Sequence, residues 1–347
     1  PVRQNRDGMA FPQPPTADNK DERDYGAKIR RIAEALRAWD GPVVLVSHVD
    51  PDGDALGSTL ALKRALEALG KTTLLPLTPP RFLAFLAEPG ELSGPLERLP
   101  EGCLLAVLDV ADEPRALGAP LVGAAFTINI DHHGTNGRFG DLFCVEPSKA
   151  ATAHIVKDVI DALGVAWDAR IATPCLTGII TDTGNFRYSN TTHEVLEAAG
   201  QLIDCGVDYA ALTDRLQWRH PSYFEMLGKV MGTVTFPLGG LVVMAHMTSA
   251  METEVGDADD SNDYVGLIRY AEGSKVAVFL KAREDHTKLS VRTRDGVSAQ
   301  RICMALGGGG HVAAAGAKVE ADLEETQRRV LAASRAELER HGLLHPA

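Results

Sequence analysis

The sequence is short of several things at once, and each shortage narrows the reading. No apolar run approaches the roughly 18 residues that suggest a membrane span, so no membrane attachment is expected. The N-terminal stretch is polar, and no secretory leader is read there. Cysteine is sparse: Cys103, Cys144, Cys175, Cys205 and Cys303 are widely spaced, with no CxxC pair. That spacing argues against a thiolate metal site and for reduced, mostly buried thiols in a cytoplasmic protein. There is no basic excess either. The 35 Lys and Arg are outnumbered by 47 Asp and Glu, for a net charge of −12. A whole-surface field for long nucleic acid is not expected from such a chain, although a metal cluster and a few local arginines could still hold a phosphate. No internal repeat or long low-complexity segment interrupts the pattern.

What is present suits a globular protein: 45% of the 347 residues are hydrophobic and 24% charged. That length predicts two domains. Residues 1–22 are polar and aperiodic and are expected to form a mobile tail. An amphipathic helix is expected over Ala27–Trp39. Val43–Ser47 is a short apolar run that empties into His48-Val-Asp-Pro-Asp-Gly-Asp54, followed by a helix over Ala55–Leu69. Leu104–Leu108 is a second buried strand, ending on Asp109. Ala125–Ile130 is a third, ending on Asp131-His132-His133. Helices are expected over Thr152–Leu163 and Ala169–Ile180, the latter running into Thr181-Asp182-Thr-Gly. Further on, strand-like runs at Leu241–Met247, Val276–Lys281 and Lys288–Arg294 precede a helix at Ser298–Ala305, the run Gly307-Gly-Gly-Gly-His311, and a charged helix over Leu323–Arg340. The fold class is α/β: a parallel-sheet first domain with flanking helices over 23–225, a linker over 226–240, and a smaller α/β domain over 241–342.

Strand ends deliver acids and histidines three times over. In open α/β sheets ligands collect at the carboxyl ends of the strands, so His48, Asp52, Asp54, Asp109 and His132 fall on one rim, which Asp182 could reach. Any one of these has a bland reading: Asp-Gly-Asp is a common turn, and Asp109 could cap a helix. Their convergence argues otherwise. Clustered carboxylates repel one another unless cations neutralise them, and an oxygen-rich set with one or two imidazoles favours Mn²⁺ or Mg²⁺ over Zn²⁺. Two divalent ions would stabilise the entering and leaving oxygens of a phosphoester substrate.

His48-x-x-x-Asp52-x-Asp54, Asp109, Asp131-His132-His133 and Asp182 resemble the four motifs of the DHH phosphoesterase superfamily. Ser290-Val-Arg292-Thr293 and Gly307-Gly-Gly-Gly-His311-Val-Ala-Ala-Ala-Gly316 resemble its DHH-associated domain. The likeness covers about residues 28–340. It implies one ion on His48, Asp52 and Asp109, and a second on Asp54, Asp109, His132 and Asp182, with Asp109 shared. It implies catalytic roles for Asp109, Asp131 and His133, the last near the phosphate rather than on a metal. It also implies that Arg292, Gly307, Gly308, Gly309, Gly310 and His311 grip a substrate phosphate. Consecutive glycines could do so through an anion nest of backbone N–H groups. Asp50 departs from the Asn usual in nano-RNases and is read as a turn cap.

Within the superfamily, Gly134-Thr135-Asn136 after His133 and the stretch from Thr181 to Thr192 resemble nano-RNases that degrade short oligonucleotides to mononucleotides and dephosphorylate 3′-phosphoadenosine 5′-phosphate. Two Mn²⁺, with Mg²⁺ as the alternative, and a homodimer are expected from that likeness. The rivals are a phosphodiesterase for cyclic di-AMP or linear dinucleotides, a single-strand exonuclease, and, in a different class, a nucleotide-binding regulator without catalysis.

Overall fold

Strands that are buried on both faces need near-continuous apolar sequence, and Val43–Val46 and Leu104–Leu108 supply it. In the computed structural model, which describes residues 24–111, 122–256 and 264–345 together with the backbone of 116–117, these segments form the centre of a parallel sheet. The first unit runs to Gln217. Its elements are α1 (Tyr25–Ala38), β1 (Val43–His48), α2 (Gly53–Ala68), β2 (Thr73–Leu74), β3 (Leu104–Leu108), β4 (Ala116–Leu117), β5 (Phe126–Asp131), β6 (Leu142–Val145), α3 (Thr152–Leu163), α4 (Ala169–Asp182), α5 (His193–Asp204) and α6 (Tyr209–Gln217). The strand order is β2-β1-β3-β5-β6, every neighbouring pair parallel, and β4 pairs antiparallel with β1 off that path. The expected tail at 1–22 lies outside the described residues.

One sheet face packs Leu45, Leu104, Ala106, Ile128 and Ile130 against the helices; the other packs Val44, Val46, Leu105 and Val107 under loop residues Leu96, Leu99 and Phe139. Helix α2 is buried all round from Gly53 to Leu66. It lies against α4 so closely that two of its positions require glycine. A Cβ on Gly57 would sit 2.3 Å from the Pro174 carbonyl oxygen, and one on Gly53 2.4 Å from the Thr181 side chain. The buried Cys103, Cys144, Cys175 and Cys303 and the partly exposed Cys205 all carry free thiols. Among the described residues, no helix is long and apolar enough to cross a membrane.

The second unit, from Trp218, comprises α7 (Pro221–Met231), β7 (Val242–Met247), α8 (Ser249–Val255), α9 (Tyr264–Ile268), β8 (Val276–Ala282), β9 (Thr287–Thr293), α10 (Ala299–Met304), β10 (Gly309–Gly310), β11 (Ala314–Val319) and α11 (Leu323–Arg340). Its sheet runs β10-β11-β9-β8-β7, antiparallel except for β7 with β8. One face buries Val278, Leu280, Leu289 and Val291 against Ile302, Val330 and Leu338. The expected linker region, 226–240, holds the end of α7, whose Met226 and Val230 pack with Val243, Ala245, Tyr264 and Phe279 into a core of their own.

Candidate metal centre and phosphate-binding hairpin

Parallel strands put their carboxyl ends on one rim, and the first unit's rim collects the predicted residues. His48 closes β1, Asp109 follows β3, and Asp131 closes β5. Asp52 is the N-cap of α2, its Oδ1 accepting from the N–H groups of Asp54 and Ala55 at 3.0 Å each. Asp182 is the last residue of α4. His48 Nε2 lies 3.9 Å from Asp52 Oδ1 and 3.6 Å from Asp109 Oδ2. His132 Nε2 lies 3.2 Å from Asp182 Oδ2, 3.7 Å from Asp109 Oδ1 and 3.8 Å from Asp54 Oδ2. Two donor groups result, His48/Asp52/Asp109 and Asp54/His132/Asp182, each with ligand atoms within 4.8 Å of one another. Asp109 faces both, one oxygen toward each histidine. A third grouping, Asp109/His132/His133, has the same compactness. In it, however, His133 Nδ1 is engaged by Asp131 Oδ1 at 2.7 Å.

The local backbone is built for this. Asp109 sits in the left-handed region, φ 59°, a conformation few non-glycine residues adopt, and its N–H donates to the Ile130 carbonyl at 2.9 Å. After α4 the chain makes three left-handed residues in a row, Gly184, Asn185 and Phe186. Asn190 then ties the Asp182 carbonyl (3.0 Å) to the Ala150 carbonyl (3.2 Å).

Electrostatics show what the cluster lacks. Burial, then repulsion from Asp109, Asp182 and Asp52, holds the Asp54 carboxyl well above its usual range. Burial and the charges of Asp52, Asp109 and Asp131 do the same to Asp182, and burial with Asp109 raises Asp52. Asp109 is lowered: burial opposes ionisation, but the hydrogen bond to His48 and the three nearby histidines outweigh it. Burial lowers His132, favouring the neutral imidazole that metal ligation needs. Three carboxylates, Asp52, Asp54 and Asp182, raised in part by their acidic neighbours, leave the cluster short of positive charge, and its oxygens with two imidazoles are the donor set of a hard divalent cation. The residues fit a pair of such ions.

Several supporting residues, Thr152, Lys149 and Gly178 among them, belong to none of the motifs read in the sequence. Helix α3 begins after Ala151, which has no side chain to cap it. Asp54 takes that place from α2, accepting from Thr152 N–H at 2.6 Å and Ala153 N–H at 2.8 Å. The Thr152 hydroxyl donates to Asp109 Oδ1 at 3.0 Å. A backbone hydrogen bond to Lys149 orients His132, and Lys149 is itself anchored by Asp158 at 2.9 Å and by Glu194. Asp131 is held by Asn136, whose amide donates to its Oδ2 at 2.6 Å and to the Val110 carbonyl at 3.0 Å. A Cβ on Gly178 would stand 2.5 Å from Ala153 Cβ and 2.8 Å from Asp54 Oδ1.

In the second unit, Arg292 is half-buried on β9, in register with Ala277 and Ala314. The glycine run is not the open nest that its sequence suggests. Gly307 N–H donates to Met304 O at 3.1 Å and Gly308 N–H to Cys303 O at 2.9 Å, which ends α10. Gly309 and Gly310 are strand β10. At two positions the lack of a side chain is steric: a Cβ on Gly308 would meet the Gly316 carbonyl oxygen at 2.2 Å, and one on Gly310 the Ala315 Cα at 2.7 Å. The β10–β11 hairpin thereby presents an exposed His311 at its turn, closed by His311 N–H to Ala314 O at 2.7 Å.

Comparison with known proteins agrees with this anatomy. Residues 42–179 match the DHH family N-terminal domain and residues 243–339 the DHHA1 domain. Over 327 residues the chain is 56% identical to the bifunctional oligoribonuclease and PAP phosphatase NrnA of Thermus thermophilus, covering 94% of this chain and 99% of that protein. It is 26% identical to the protein of the same name from Bacillus subtilis, covering 80% and 89%. An exopolyphosphatase-related protein from Bacteroides fragilis shares the fold, with a TM-score of 0.81 at 22% identity over 89% of this chain and 96% of that one. The chain therefore belongs to the DHH family, with a DHH domain carrying the carboxylate–histidine cluster and a DHHA1 domain carrying the glycine hairpin.

Proposed function

We propose that this protein is a metal-dependent hydrolase of phosphoester bonds that degrades short oligonucleotides to mononucleotides and dephosphorylates 3′-phosphoadenosine 5′-phosphate. The observation that carries the chemistry is Asp109. Its Oδ2 is 3.6 Å from His48 Nε2 and its Oδ1 3.7 Å from His132 Nε2, as a carboxylate shared between two ions requires. The substrate class rests on the 56% identity to the Thermus thermophilus oligoribonuclease and PAP phosphatase over almost all of both chains.

His48, Asp52 and Asp109 would hold one ion, and Asp54, Asp109, His132 and Asp182 the other. Mn²⁺ is the ion proposed, since the donors are mostly oxygen with two imidazoles. When bound, such a pair neutralises the carboxylates, makes an adjacent water more acidic and offsets charge on the phosphoryl oxygens. Thr152 and the first turn of α3 fix Asp109 and Asp54, so the ligand set is organised before substrate arrives. Asp131 is a positioning residue. It binds His133 Nδ1 at 2.7 Å and so aims the ring. Burial opposes protonation of His133, but the Asp131 hydrogen bond and the charges of Asp109 and Asp131 outweigh it and raise its pKa. A proton donated from Nε2 to the leaving oxygen is the step this arrangement serves. Arg292 and His311, on the frame that Gly307–Gly310 build, bind substrate phosphate.

The test is a substrate panel under Mn²⁺ and, in parallel, Mg²⁺: a ribodinucleotide, 3′-phosphoadenosine 5′-phosphate, cyclic di-AMP and a long single strand. The dinucleotide and the bisphosphate should turn over far faster than the other two. Equal or better cleavage of the long strand, or of the cyclic dinucleotide, would sink this reading.

A further inference from the structure

We infer that the second unit carries a separate site for the downstream phosphates of an oligonucleotide, built on three lysines of one cross-strand row. The site deepens the nuclease reading above and rests on it. In the sheet, Lys288 of β9 is directly opposite Lys281 of β8 on one side and Lys318 of β11 on the other. Side chains alternate along strands, so all three project from the same sheet face. Directly opposed like charges destabilise a sheet, so nothing in the folding of this strand trio calls for a lysine at all three places. On this face β9 carries no apolar residue, since Leu289 and Val291 turn to the other side, while Phe279 and Ala277 of β8 beside it are buried in the second core.

The row lines a concavity of about 490 Å³, into which Arg283 also projects and whose floor includes Ser290 and Gly316. Among the described residues, no acidic side chain lines it. Beyond the lining, Lys318 pairs with the exposed Glu320 at 2.8 Å, and Arg283 Nη2 with Glu252 at 2.8 Å. Lys288, at the middle of the row, is exposed. Gly316 and Ser290 form the next row, where small side chains leave room above the strands.

The register also relates this site to Arg292. The rows Ala277–Arg292–Ala314, Phe279–Ser290–Gly316 and Lys281–Lys288–Lys318 follow one another on the same face. Arg292 is four residues from Lys288, a span of about 13–14 Å at a strand rise of roughly 3.4 Å per residue. A single phosphate cannot reach both ends of that span. A ligand with several phosphates in a chain can, and a short single-stranded oligonucleotide is such a ligand. A nucleoside bisphosphate would engage the Arg292 end alone, so the lysine row distinguishes substrates by length.

The experiment compares the whole protein with the triple variant Lys281→Thr/Lys288→Thr/Lys318→Thr and with the triple Lys→Arg variant. Turnover of a ribopentanucleotide and of 3′-phosphoadenosine 5′-phosphate is measured across a salt series. In the Thr variant, kcat/KM for the pentanucleotide should fall at least about tenfold at low salt, chiefly through KM. The slope of its logarithm against log salt should flatten by about 2, as expected for three lost contacts to a single strand. Turnover of the bisphosphate should not change, and the Arg variant should retain pentanucleotide turnover. An equal loss on both substrates, or no loss on either, overturns the proposal. Binding of a labelled pentanucleotide in EDTA, read by fluorescence anisotropy, separates this idea from the nuclease reading. If wild type cleaves no member of the panel, the nuclease reading fails, and a weaker, less salt-dependent affinity in the Thr variant still supports the lysine site. Identical affinities overturn it.

Discussion

Gly178→Ala should impair the proposed metal centre without replacing any of its proposed ligands. The glycine lies in α4 where that helix crosses α2 and α3, and an added Cβ would stand 2.5 Å from Ala153 Cβ, 2.8 Å from Asp54 Oδ1 and 3.2 Å from Asp54 Cα. Ordinary carbon–carbon contact is about 3.5–4.0 Å, so α4 must retreat by roughly 1 Å or the Asp54 carboxylate must move by a similar amount. Moving the carboxylate breaks the cap on α3, where Oδ1 and Oδ2 accept from Ala153 and Thr152. Moving α4 carries Asp182 away from His132. Either way a ligand shifts by about 1 Å, a displacement that can lower turnover about 100-fold. Overpacking costs about 1–3 kcal/mol, and the better helix propensity of alanine returns up to about 1 kcal/mol. With the full return the net loss is about 0–2 kcal/mol, or a fall in Tm of up to roughly 8 °C. Gly200→Ala is the control. A Cβ on that helical glycine would meet none of the described residues within 4 Å, so the change should be neutral or slightly stabilising. Mn²⁺ titration calorimetry, dinucleotide turnover and thermal unfolding are measured on both variants. Unchanged metal affinity and turnover in Gly178→Ala would refute the close-packing argument.

Two smaller perturbations test the supports of each unit. Thr152→Val keeps shape but removes the hydroxyl that donates to Asp109 Oδ1 at 3.0 Å; Mn²⁺ affinity by calorimetry should drop about 10–100-fold, and Thr152→Ser should restore most of it. If valine binds Mn²⁺ as wild type does, the hydroxyl does not organise Asp109. In the second unit, Glu337 accepts from Ser298 N–H at 3.0 Å and from Arg301 Nη2 at 2.8 Å. The Arg301 hydrogen bond is the largest influence on Glu337 and, against burial, sets its carboxyl below the usual glutamate range. The unfolded chain takes up that proton at higher pH than the folded one. Stability from this group is therefore complete above the ordinary glutamate range and is lost as pH falls through the lowered folded value. Glu337→Gln should cost about 1 kcal/mol at neutral pH in urea unfolding and lessen the acid sensitivity of the second unit; a variant with the same acid profile as wild type would rule this linkage out.

The sequence carried the metal rim because its determinants are local. Each apolar strand ends on its own acid or histidine, and parallel strands bring those ends together by topology alone. The supports were not legible for the opposite reason. Asp54 caps α3 across 98 residues, and the Lys281–Lys288–Lys318 row exists only once strand register is known. Gly53 reads as a permissive turn residue and the Gly307–Gly310 run as an anion nest, whereas Gly53, Gly308 and Gly310 mark places where backbone or side chains come too close for a Cβ. One signal was nonetheless available. A helix that starts at Thr152 after Ala150-Ala151 has no residue of its own to satisfy its first N–H groups. Buried helix ends do not stay unsatisfied, so a missing local cap points to a distant acceptor, and in a chain with buried carboxylates on a sheet rim that acceptor is one of them. The same logic extends to lysines opposed in register: where the local rules are broken without a folding benefit, the partner that satisfies them lies elsewhere in the chain or in a ligand.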